Sequence, residues 1–272
     1  MPGSPFPSRD QFEGDFVPST IPAIEGGQST YEGSIAVTLL DRAVVQAALP
    51  ERFELARRKD GATDHPVIHM VGHQRSPMLL LQGEIVPAPD PGYQEVILLV
   101  PFVICDRGQL WHTFVVRMFL NDPSAIHIGN VYYCYRKVFA ALNETPALNG
   151  VDTAVIPIRE GEVFKSAVRR TANWSRCADS ASAPPGLEAL KTLFAMPMVG
   201  TDVAGSRAVR TVCSYWEWDY DCAEAAPGDS NHELLKEVAP GTAAWLGPKS
   251  SPAVLVRGLR WRIPLPPQQC LF

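Results

Sequence analysis

Most of the chain consists of short runs of β-branched and aliphatic residues separated by proline, glycine, asparagine and aspartate. Such runs are typical of β-strands bounded by turns. We predict strands at residues 34–39, 67–71, 78–86, 93–105, 111–120, 151–158, 163–172, 209–220 and 253–263. A turn of Asp106, Arg107 and Gly108 separates two of these strands, which predicts a β-meander in the middle of the chain.

Two segments follow helical spacing instead. Residues 41–50 begin with an aspartate at the N-cap position, continue with apolar residues at helical spacing and end at Pro50. Residues 187–195 predict a second short helix after a linker of proline and glycine. Asn121, Asp122 and Pro123 predict a turn after the strand at 111–120. The following residues 124–142 are ambiguous, and we expect them to begin as a loop and to continue as a helix. Residues 223–231 are acidic, contain proline and glycine, and are predicted to form a loop.

The summed elements predict an α+β fold with a large, curved, mostly antiparallel sheet that can close into a barrel, and with few short helices. Of the 272 residues 46% are hydrophobic and 19% are charged, so the chain can bury a sizeable core. Residues 1–30 are rich in proline and lack a hydrophobic period, which predicts an extended N-terminal arm. Residues 31–272 are predicted to form a single domain.

Charge and composition narrow the class of partner. A net charge of −5 argues against nucleic-acid binding, which depends on clustered positive charge. The chain has neither the basic start and apolar run of a secretory signal nor an apolar stretch that would cross a bilayer, so we expect a cytoplasmic protein that does not bind membranes. The six cysteines form no C-x-x-C pair and two lie in apolar segments, so buried free thiols are expected.

One lysine has an unusual setting. Lys137 lies within the aromatic run YYCYRKVF at residues 132–139. Apolar surroundings and the neighbouring cation of Arg136 would both lower the pKa of its amine, and an uncharged amine can attack a carbonyl group. The alternative is that Lys137 lies at the end of a short helix with its stem on the core and its ammonium in solvent. The spacing alone does not decide between the two.

Three stretches in the first half of the chain carry a family resemblance. They are an early helix that ends in Ala-Leu-Pro at residues 48–50, Tyr-Gln-Glu at 93–95, and Leu-Asn-Asp-Pro-Ser-Ala-Ile-His-Ile-Gly at 120–129. Tyr135 and then Lys137 follow the last glycine at the distance found in the family. In these stretches the chain resembles the acetoacetate decarboxylase superfamily.

The resemblance implies that Lys137 forms a Schiff base with a carbonyl-containing small molecule and that Glu95 orients or protonates the reacting carbon. Activation of the lysine by an adjacent cation is the mechanism of acetoacetate decarboxylase itself. The resemblance also implies that the chain is a homo-oligomer and that it uses no metal or organic cofactor. Two departures are that Val138 occupies the position of the decarboxylases' second lysine and that Tyr31 replaces an arginine expected to hold a substrate carboxylate. A small β-keto acid is therefore not the expected substrate.

Further side chains are candidates for binding the substrate. Arg117 lies in an otherwise apolar strand, and a buried guanidinium there would need an anionic partner, either Glu95 or a substrate carboxylate. An outward-facing arginine is the alternative. His69 lies near another acidic position of the family, and Tyr133 belongs to the aromatic run beside the lysine. His127 would be either a proton carrier or a structural histidine.

Three histidines, His65, His69 and His73, recur every four residues, which invites a metal hypothesis. On a strand, His69 and His73 share a face but lie too far apart to bind one ion together, and Pro66 opposes a helix that would carry all three. We therefore expect surface or hydrogen-bonded histidines and no metal site.

Two hypotheses of different classes follow. The first is a lyase-type enzyme of specialised metabolism that uses Lys137 as the amine nucleophile and Glu95 as the acid. It would act on a carbonyl compound by decarboxylation, aldol, dehydration or cyclisation chemistry. The second is a non-catalytic binding barrel for an apolar metabolite, in which Lys137 is only structural.

Overall fold

The computed structural model describes residues 6–15, 26–81, 84–87, 92–106, 108–142, 163–179, 183–204, 207–265, 267 and 270. The strands are β1 (Gly26–Asp41), β2 (Phe53–Leu55), β3 (Asp64–Leu81), β4 (Glu84–Pro87), β5 (Tyr93–Cys105), β6 (His112–Leu120), β7 (Lys137–Phe139), β8 (Phe164–Arg170), β9 (Ser175–Arg176), β10 (Met198–Ala204), β11 (Arg207–Ser214), β12 (Glu217–Asp219), β13 (Glu224–Leu234) and β14 (Gly247–Pro264). The helices are α1 (Arg42–Gln46), α2 (Pro123–Tyr133) and α3 (Leu187–Ala195), and two 3₁₀ turns cover Arg9–Gln11 and Thr242–Trp245.

The fourteen described strands form one sheet. Its main hydrogen-bonded path runs β11, β10, β6, β5, β3, β1, β14, β13, β8, and the short strands attach to its members. All neighbours are antiparallel except β10 and β7, which each pair with β6 in parallel. Within the described residues the end strands β11 and β8 are not hydrogen-bonded to each other. The large, mostly antiparallel sheet with few short helices confirms the predicted fold class.

The sheet has a hydrophobic core on each face, because successive side chains of a strand point to opposite faces. On β3, Ile68 and Met70 belong to the first core, whereas Val67 and Val71 belong to the second. Helices α2 and α3 pack on the first core. Helix α1 and the 3₁₀ turn Thr242–Trp245 pack on the second. Two faces of one sheet thus offer two separate places for a functional site.

Several predicted elements agree closely with the structure. The strand predicted at residues 93–105 is β5, and the helix predicted at 187–195 is α3. Asp41 caps α1 as expected, because its carboxylate accepts hydrogen bonds from the backbone N–H groups of Ala43 and Val44.

Four predictions of elements were wrong, and one lies outside the described residues. The strands predicted separately at 67–71 and 78–86 are joined in β3, and the second of these predictions runs on into β4. Residues 124–142 begin as helix α2 and continue as strand β7, the reverse of the expected loop and helix. Most of the predicted loop at residues 223–231 belongs to β13, a strand paired on both sides. The single strand predicted at 209–220 is divided into β11 and β12. The strand predicted at 151–158 lies outside the described residues.

The expectation that all cysteines are free thiols was also wrong. Cys213 on β11 and Cys270 form a disulfide that closes a sequence separation of 57 residues. Cys105, Cys134 and Cys177 are buried free thiols as expected, and Cys222 is a free thiol on the surface. The disulfide was not predictable from a C-x-x-C motif, because its two members are distant in the sequence and meet only through the fold.

The described part of the N-terminal arm, residues 6–15, packs against the sheet. Phe6 and Phe12 are buried in the first core, and the ring of Phe12 stacks on Phe102 with 4.0 Å between the centroids. The first strand begins at Gly26, within the segment that the sequence analysis gave to the arm. The described helices include none that is long and apolar enough to span a membrane.

Candidate active site

A cavity of about 190 Å³ opens on the first core, and most of its lining is apolar. Helix α2 and strand β7 form one side of it, and β1, β3, β5 and β14 contribute the others. Among the lining residues are Lys137, Glu95 and Tyr133, three of the residues that the sequence analysis singled out. The structure thus brings an amine, a carboxyl group and an aromatic ring to one cavity.

The backbone of Lys137 is held at the cavity by the link between α2 and β7. Helix α2 is capped at its C-terminus by Cys134, which adopts a left-handed conformation, and Arg136 also has a positive φ of 54°. The chain therefore reverses direction and enters β7, where Lys137 pairs with Met118 of β6. Asn130 on α2 joins the two elements: its side-chain oxygen accepts from Lys137 N at 2.6 Å, and its amide donates to Lys137 O at 2.8 Å.

A glycine makes room for the lysine side chain. A Cβ atom on Gly129 of α2 would lie 2.4 Å from both Cδ and Cε of Lys137 and 3.0 Å from its Nζ. No real Cβ atom approaches another heavy atom that closely, so any larger residue would push the lysine aside. The lysine stem therefore crosses the helix at the one point where the helix has no side chain, and its amine reaches the cavity.

Burial lowers the pKa of the Lys137 amine, because a charged ammonium loses its hydration inside the protein. The carboxyl groups of Glu95 and Asp122 oppose this shift by attracting the positive charge. Asp122 also caps helix α2, since its carboxylate accepts a hydrogen bond from Ala125 N at 2.6 Å. Desolvation is the larger effect, so the cavity favours the uncharged, nucleophilic form of the amine.

A chain of hydrogen bonds holds Glu95. The side-chain amide of Gln74 on β3 donates to the Glu95 carboxyl group, and Trp261 Nε1 donates to the side-chain oxygen of Gln74 at 2.7 Å. Burial raises the pKa of Glu95, and the nearby amine of Lys137 and the bond from Gln74 counteract part of that rise. Burial thus favours a neutral acid on Glu95 and a neutral amine on Lys137 in the same cavity.

Aromatic side chains form the remaining wall. The rings of Tyr133 and Tyr135 stack with 5.4 Å between centroids, and those of Trp216 and Trp261 lie 4.4 Å apart. All four residues line the cavity. Trp216 and Trp261 also pack in the first core, so they serve both the core and the cavity.

The structure does not bring Arg117 to this cavity. Arg117 is not among the lining residues, and its guanidinium donates from Nε to the backbone oxygen of Val238 at 2.9 Å. Arg136 lies near Arg117 and Asp202, and it is not among the groups that shift the pKa of Lys137. The expected contributions of Arg117 to substrate binding and of Arg136 to amine activation therefore have no geometric basis, because both side chains are separated from the cavity.

The histidines also lie elsewhere. His69 is buried in the second core, where its ring packs edge-on against those of Phe164 and His232, so it does not meet the cavity. Nε2 of His65 hydrogen-bonds the backbone oxygen of Pro101 at 2.8 Å, and His127 is exposed on α2. No group of three His, Cys, Asp or Glu side chains within the described residues could hold a metal ion.

Sequence reasoning missed several residues that build the site. Asp122 before Pro123 is the usual pair at a helix start, so the N-cap was readable from the sequence but was interpreted as a turn. Gln74 and Asn130 gave no signal, since an amide becomes informative only when its partners are known. The spacing of Gly129 from Lys137 belongs to the resemblance, but its steric purpose is visible only in three dimensions.

Comparisons with known proteins identify the fold. No family model and no curated protein matches the chain. Solved structures do match. An acetoacetate decarboxylase from Legionella pneumophila has a TM-score of 0.57 and 14% identity, over 90% of this chain and 87% of that chain. An acetoacetate decarboxylase-like enzyme from Sphingomonas wittichii has a TM-score of 0.54 and 14% identity, over 93% and 96%.

A third structure is the enduracididine biosynthesis enzyme MppR, complexed with the condensation product of pyruvate and imidazole 4-carboxaldehyde. It has a TM-score of 0.55 and 12% identity, over 90% of this chain and 87% of that chain. At these identities the likeness shows the fold alone.

Proposed function

We propose that this chain, whose fold is that of the acetoacetate decarboxylase superfamily, is an enzyme that forms a Schiff base between Lys137 and a carbonyl compound. The observation that carries the proposal is that a desolvated amine and a buried carboxyl group, Lys137 and Glu95, line the same cavity. The fold neighbours are decarboxylases and related enzymes, which supports an enzymatic function.

The first chemical step belongs to Lys137. The lone pair on Nζ attacks the carbonyl carbon, and the carbonyl π electrons move to oxygen and take up a proton. The resulting carbinolamine loses its oxygen as water, which leaves an iminium ion with a double bond between Nζ and the former carbonyl carbon. This ion accepts the electron pair of a bond that breaks at the neighbouring carbon, and a neutral enamine forms.

Glu95 is proposed to move the protons that this sequence requires. Its neutral acid form can protonate the departing oxygen of the carbinolamine, and its carboxylate can then accept a proton from the substrate. In the final stage it can return that proton to the enamine carbon before water releases the product. A carboxyl group whose pKa is raised by burial suits both roles near neutral pH.

The proposed reaction class is that of a lyase acting by decarboxylation, aldol, dehydration or cyclisation chemistry. A role in specialised metabolism is supported by one fold neighbour, MppR, which is named a biosynthesis enzyme and was solved with a condensation product. A cytoplasmic location and assembly into a homo-oligomer are proposals that rest on the sequence and on the resemblance.

The test is reductive trapping. Incubation with a panel of aldehydes and ketones and a borohydride reductant is expected to add the mass of the reduced adduct to the peptide that contains Lys137. A Lys137→Met variant should lose the adduct, and a matched Lys165→Met variant, which changes an exposed lysine on β8, should keep it. Absence of an adduct on Lys137 across the panel would contradict the proposal.

The pH dependence of trapping provides a second readout. The amine must be uncharged to attack, so the rate is expected to fall at low pH as Lys137 becomes protonated. Glu95 must be protonated to release water, so the rate is expected to fall again at high pH. Burial moves the two pKa values toward each other, which favours a maximum between the ordinary pKa values of a glutamate and a lysine.

The second candidate function is a binding barrel for an apolar metabolite, and the apolar lining of the cavity favours it. In that case Lys137 and Glu95 would form a structural pair. Binding of an apolar compound without any adduct on Lys137 would select this alternative.

A further inference from the structure

The charges that line the cavity are unsuited to a carboxylate substrate. The described lining residues include two carboxyl groups, Glu95 and Asp122, and one cationic candidate, Lys137, which becomes the iminium nitrogen during the proposed reaction. Within the described residues, a substrate carboxylate would therefore enter a cavity lined by two acids and would meet no cation other than Lys137.

The aromatic wall offers ring surface rather than hydrogen bonds. Tyr133 Oη donates to the backbone oxygen of Pro264 at 2.8 Å, and Tyr135 Oη shares a hydrogen bond with Ser214 Oγ. Trp216 Nε1 donates to Tyr135 Oη at 2.8 Å.

Trp261 Nε1 is likewise occupied, because it donates to Gln74. The hydroxyl or indole N–H group of each of these four side chains is thus hydrogen-bonded within the protein. A ligand meets the faces and edges of the rings, which bind flat apolar groups best.

The volume indicates how large a group the cavity can enclose. An apolar cavity of about 150 Å³ in another protein holds one benzene molecule. A cavity of about 190 Å³ therefore fits one aromatic ring with a short side chain, and the amine of Lys137 defines where the carbonyl carbon must lie.

Building on the proposed Schiff-base function, we propose that the ligand is an uncharged aldehyde or ketone that carries a single aromatic ring a few bonds from its carbonyl carbon. The ring lies against the wall of Tyr133, Tyr135, Trp216 and Trp261, and the carbonyl carbon lies at Lys137. Keto acids are excluded because their carboxylate would lose hydration beside Asp122 and would meet no cation other than Lys137 among the described lining residues.

This ligand class limits the reaction to steps that release no carbon dioxide. For a β-hydroxy ketone, the electron pair of the bond between the α and β carbons moves toward the iminium carbon, and the π pair of the carbon–nitrogen double bond moves to Nζ. The hydroxyl proton passes to the Glu95 carboxylate, and an aldehyde leaves. Glu95 then returns the proton to the α carbon of the enamine, and water hydrolyses the iminium to a ketone and the free amine. The reverse sequence joins the same two fragments.

The test uses four ketones that separate the ring from the charge. They are 4-phenylbutan-2-one, 2-oxo-4-phenylbutanoate, butan-2-one and 2-oxobutanoate, each incubated with wild-type protein and borohydride at equal concentration. We expect adduct formation on Lys137 to be at least about tenfold faster with 4-phenylbutan-2-one than with either its keto acid or butan-2-one, a difference worth about 1.4 kcal/mol. Equal or faster trapping of a keto acid, or of butan-2-one, would overturn this inference and leave the Schiff-base function standing.

A binding measurement separates the two proposals in the other direction. The wild-type protein is titrated by calorimetry with 4-phenylbutan-2-ol and with 4-phenylbutanoate, neither of which has an aldehyde or ketone group that could form a Schiff base. We expect the alcohol to bind more tightly than the carboxylate. If no ketone is trapped but this preference holds, the Schiff-base function fails while the ligand class stands. If the carboxylate binds as tightly as the alcohol, the ligand class fails.

A positive charge placed in the cavity wall should allow a keto acid to enter the cavity. Gln28 on β1 lines the cavity and is exposed, so Gln28→Arg can add a guanidinium without removing a buried contact. We expect this variant to speed the trapping of 2-oxo-4-phenylbutanoate at least about tenfold relative to 4-phenylbutan-2-one. The control Gln28→Met, neutral and similar in length, should leave the ratio unchanged. An unchanged ratio in Gln28→Arg would contradict the exclusion by charge.

Discussion

At the scale of single residues, the cavity depends on the absence of a side chain at Gly129. The lysine stem occupies the space that a Cβ atom would fill, so the position of the amine and the identity of this residue are coupled. Alanine is a better helix former than glycine by about 1 kcal/mol, so the helix itself has no need for glycine here. The path of the Lys137 side chain explains why residue 129 is a glycine.

We therefore predict that Gly129→Ala separates folding from chemistry. The flexible end of Lys137 can move away from the new methyl group, so the protein should keep its fold and its thermal stability to within about 1 kcal/mol. The displaced amine should reduce the trapping rate about a hundredfold, because misplacement by about 1 Å has that cost. Thermal unfolding and borohydride trapping check the two parts. An unchanged trapping rate would show that a glycine at position 129 is not required to position the Lys137 amine.

The sequence selects five candidate site residues, and three of them, Lys137, Glu95 and Tyr133, meet at the cavity. The other two, Arg117 and His69, lie elsewhere. Alternation along a strand shows which residues share a face, but it does not show which face meets the cavity. The pairing of β5 with β6 also shifts register twice, so the phase of one strand cannot be carried to the next by counting.

At the scale of elements, the site depends on how α2 is joined to β7. Asn130 bonds both backbone polar groups of Lys137 and so fixes the strand to the helix. Without it, these groups would have to find other partners in a partly buried setting.

We predict that Asn130→Ala lowers the free energy of unfolding by about 1–3 kcal/mol and also slows trapping at Lys137. Asn130→Asp is the matched control, because it keeps the acceptor for Lys137 N and replaces the donor to Lys137 O by a second carboxylate oxygen. It should fall between wild type and Asn130→Ala in chemical denaturation. A substitution to alanine that changes neither stability nor trapping would show that β7 is held by its pairing with β6 alone.

The two largest errors in predicting elements have physical causes. In residues 124–142, Asp122 and Pro123 were interpreted as a turn, although the same pair serves as the N-cap and first residue of a helix. In β13, Pro227 has no N–H group for a ladder, yet it lies beyond the last residue paired with β8. The missing N–H group therefore removes no hydrogen bond between β13 and β8, and the strand continues beyond the proline.

At the scale of the whole molecule, buried histidines make the free energy of unfolding depend on pH. Burial lowers the pKa of His69 to about 4 and that of His65 to about 3. In the unfolded chain both would titrate near 6.5. Above that pH the histidines are neutral in both the folded and the unfolded state, so their titration does not change the free energy of unfolding. As the pH falls below it, the unfolded chain binds protons that the folded chain does not, and stability is lost until the folded pKa is reached.

We predict that the free energy of unfolding falls steadily from pH 6.5 to pH 4. His69 alone should contribute a loss of about 3 kcal/mol over this interval, since each unit of pKa is worth about 1.4 kcal/mol. His69→Leu, which replaces a ring whose Nδ1 has no hydrogen-bond partner among the described residues, should flatten the dependence. The control His127→Gln changes an exposed histidine and should not. Urea unfolding at a series of pH values measures both, and an equal slope in His69→Leu and wild type would contradict the assignment.

The two cores described above divide the molecule's tasks between them. All the buried cavity-lining aromatics belong to the first core, whereas the second contains the Cys213–Cys270 disulfide and none of the cavity wall. Mutations that repack the second core can therefore raise or lower the tolerance of the protein to heat without reshaping the space around the ligand. Over evolutionary time such a sheet can exchange one substrate for another on one side while the reserve of stability that permits the exchange accumulates on the other.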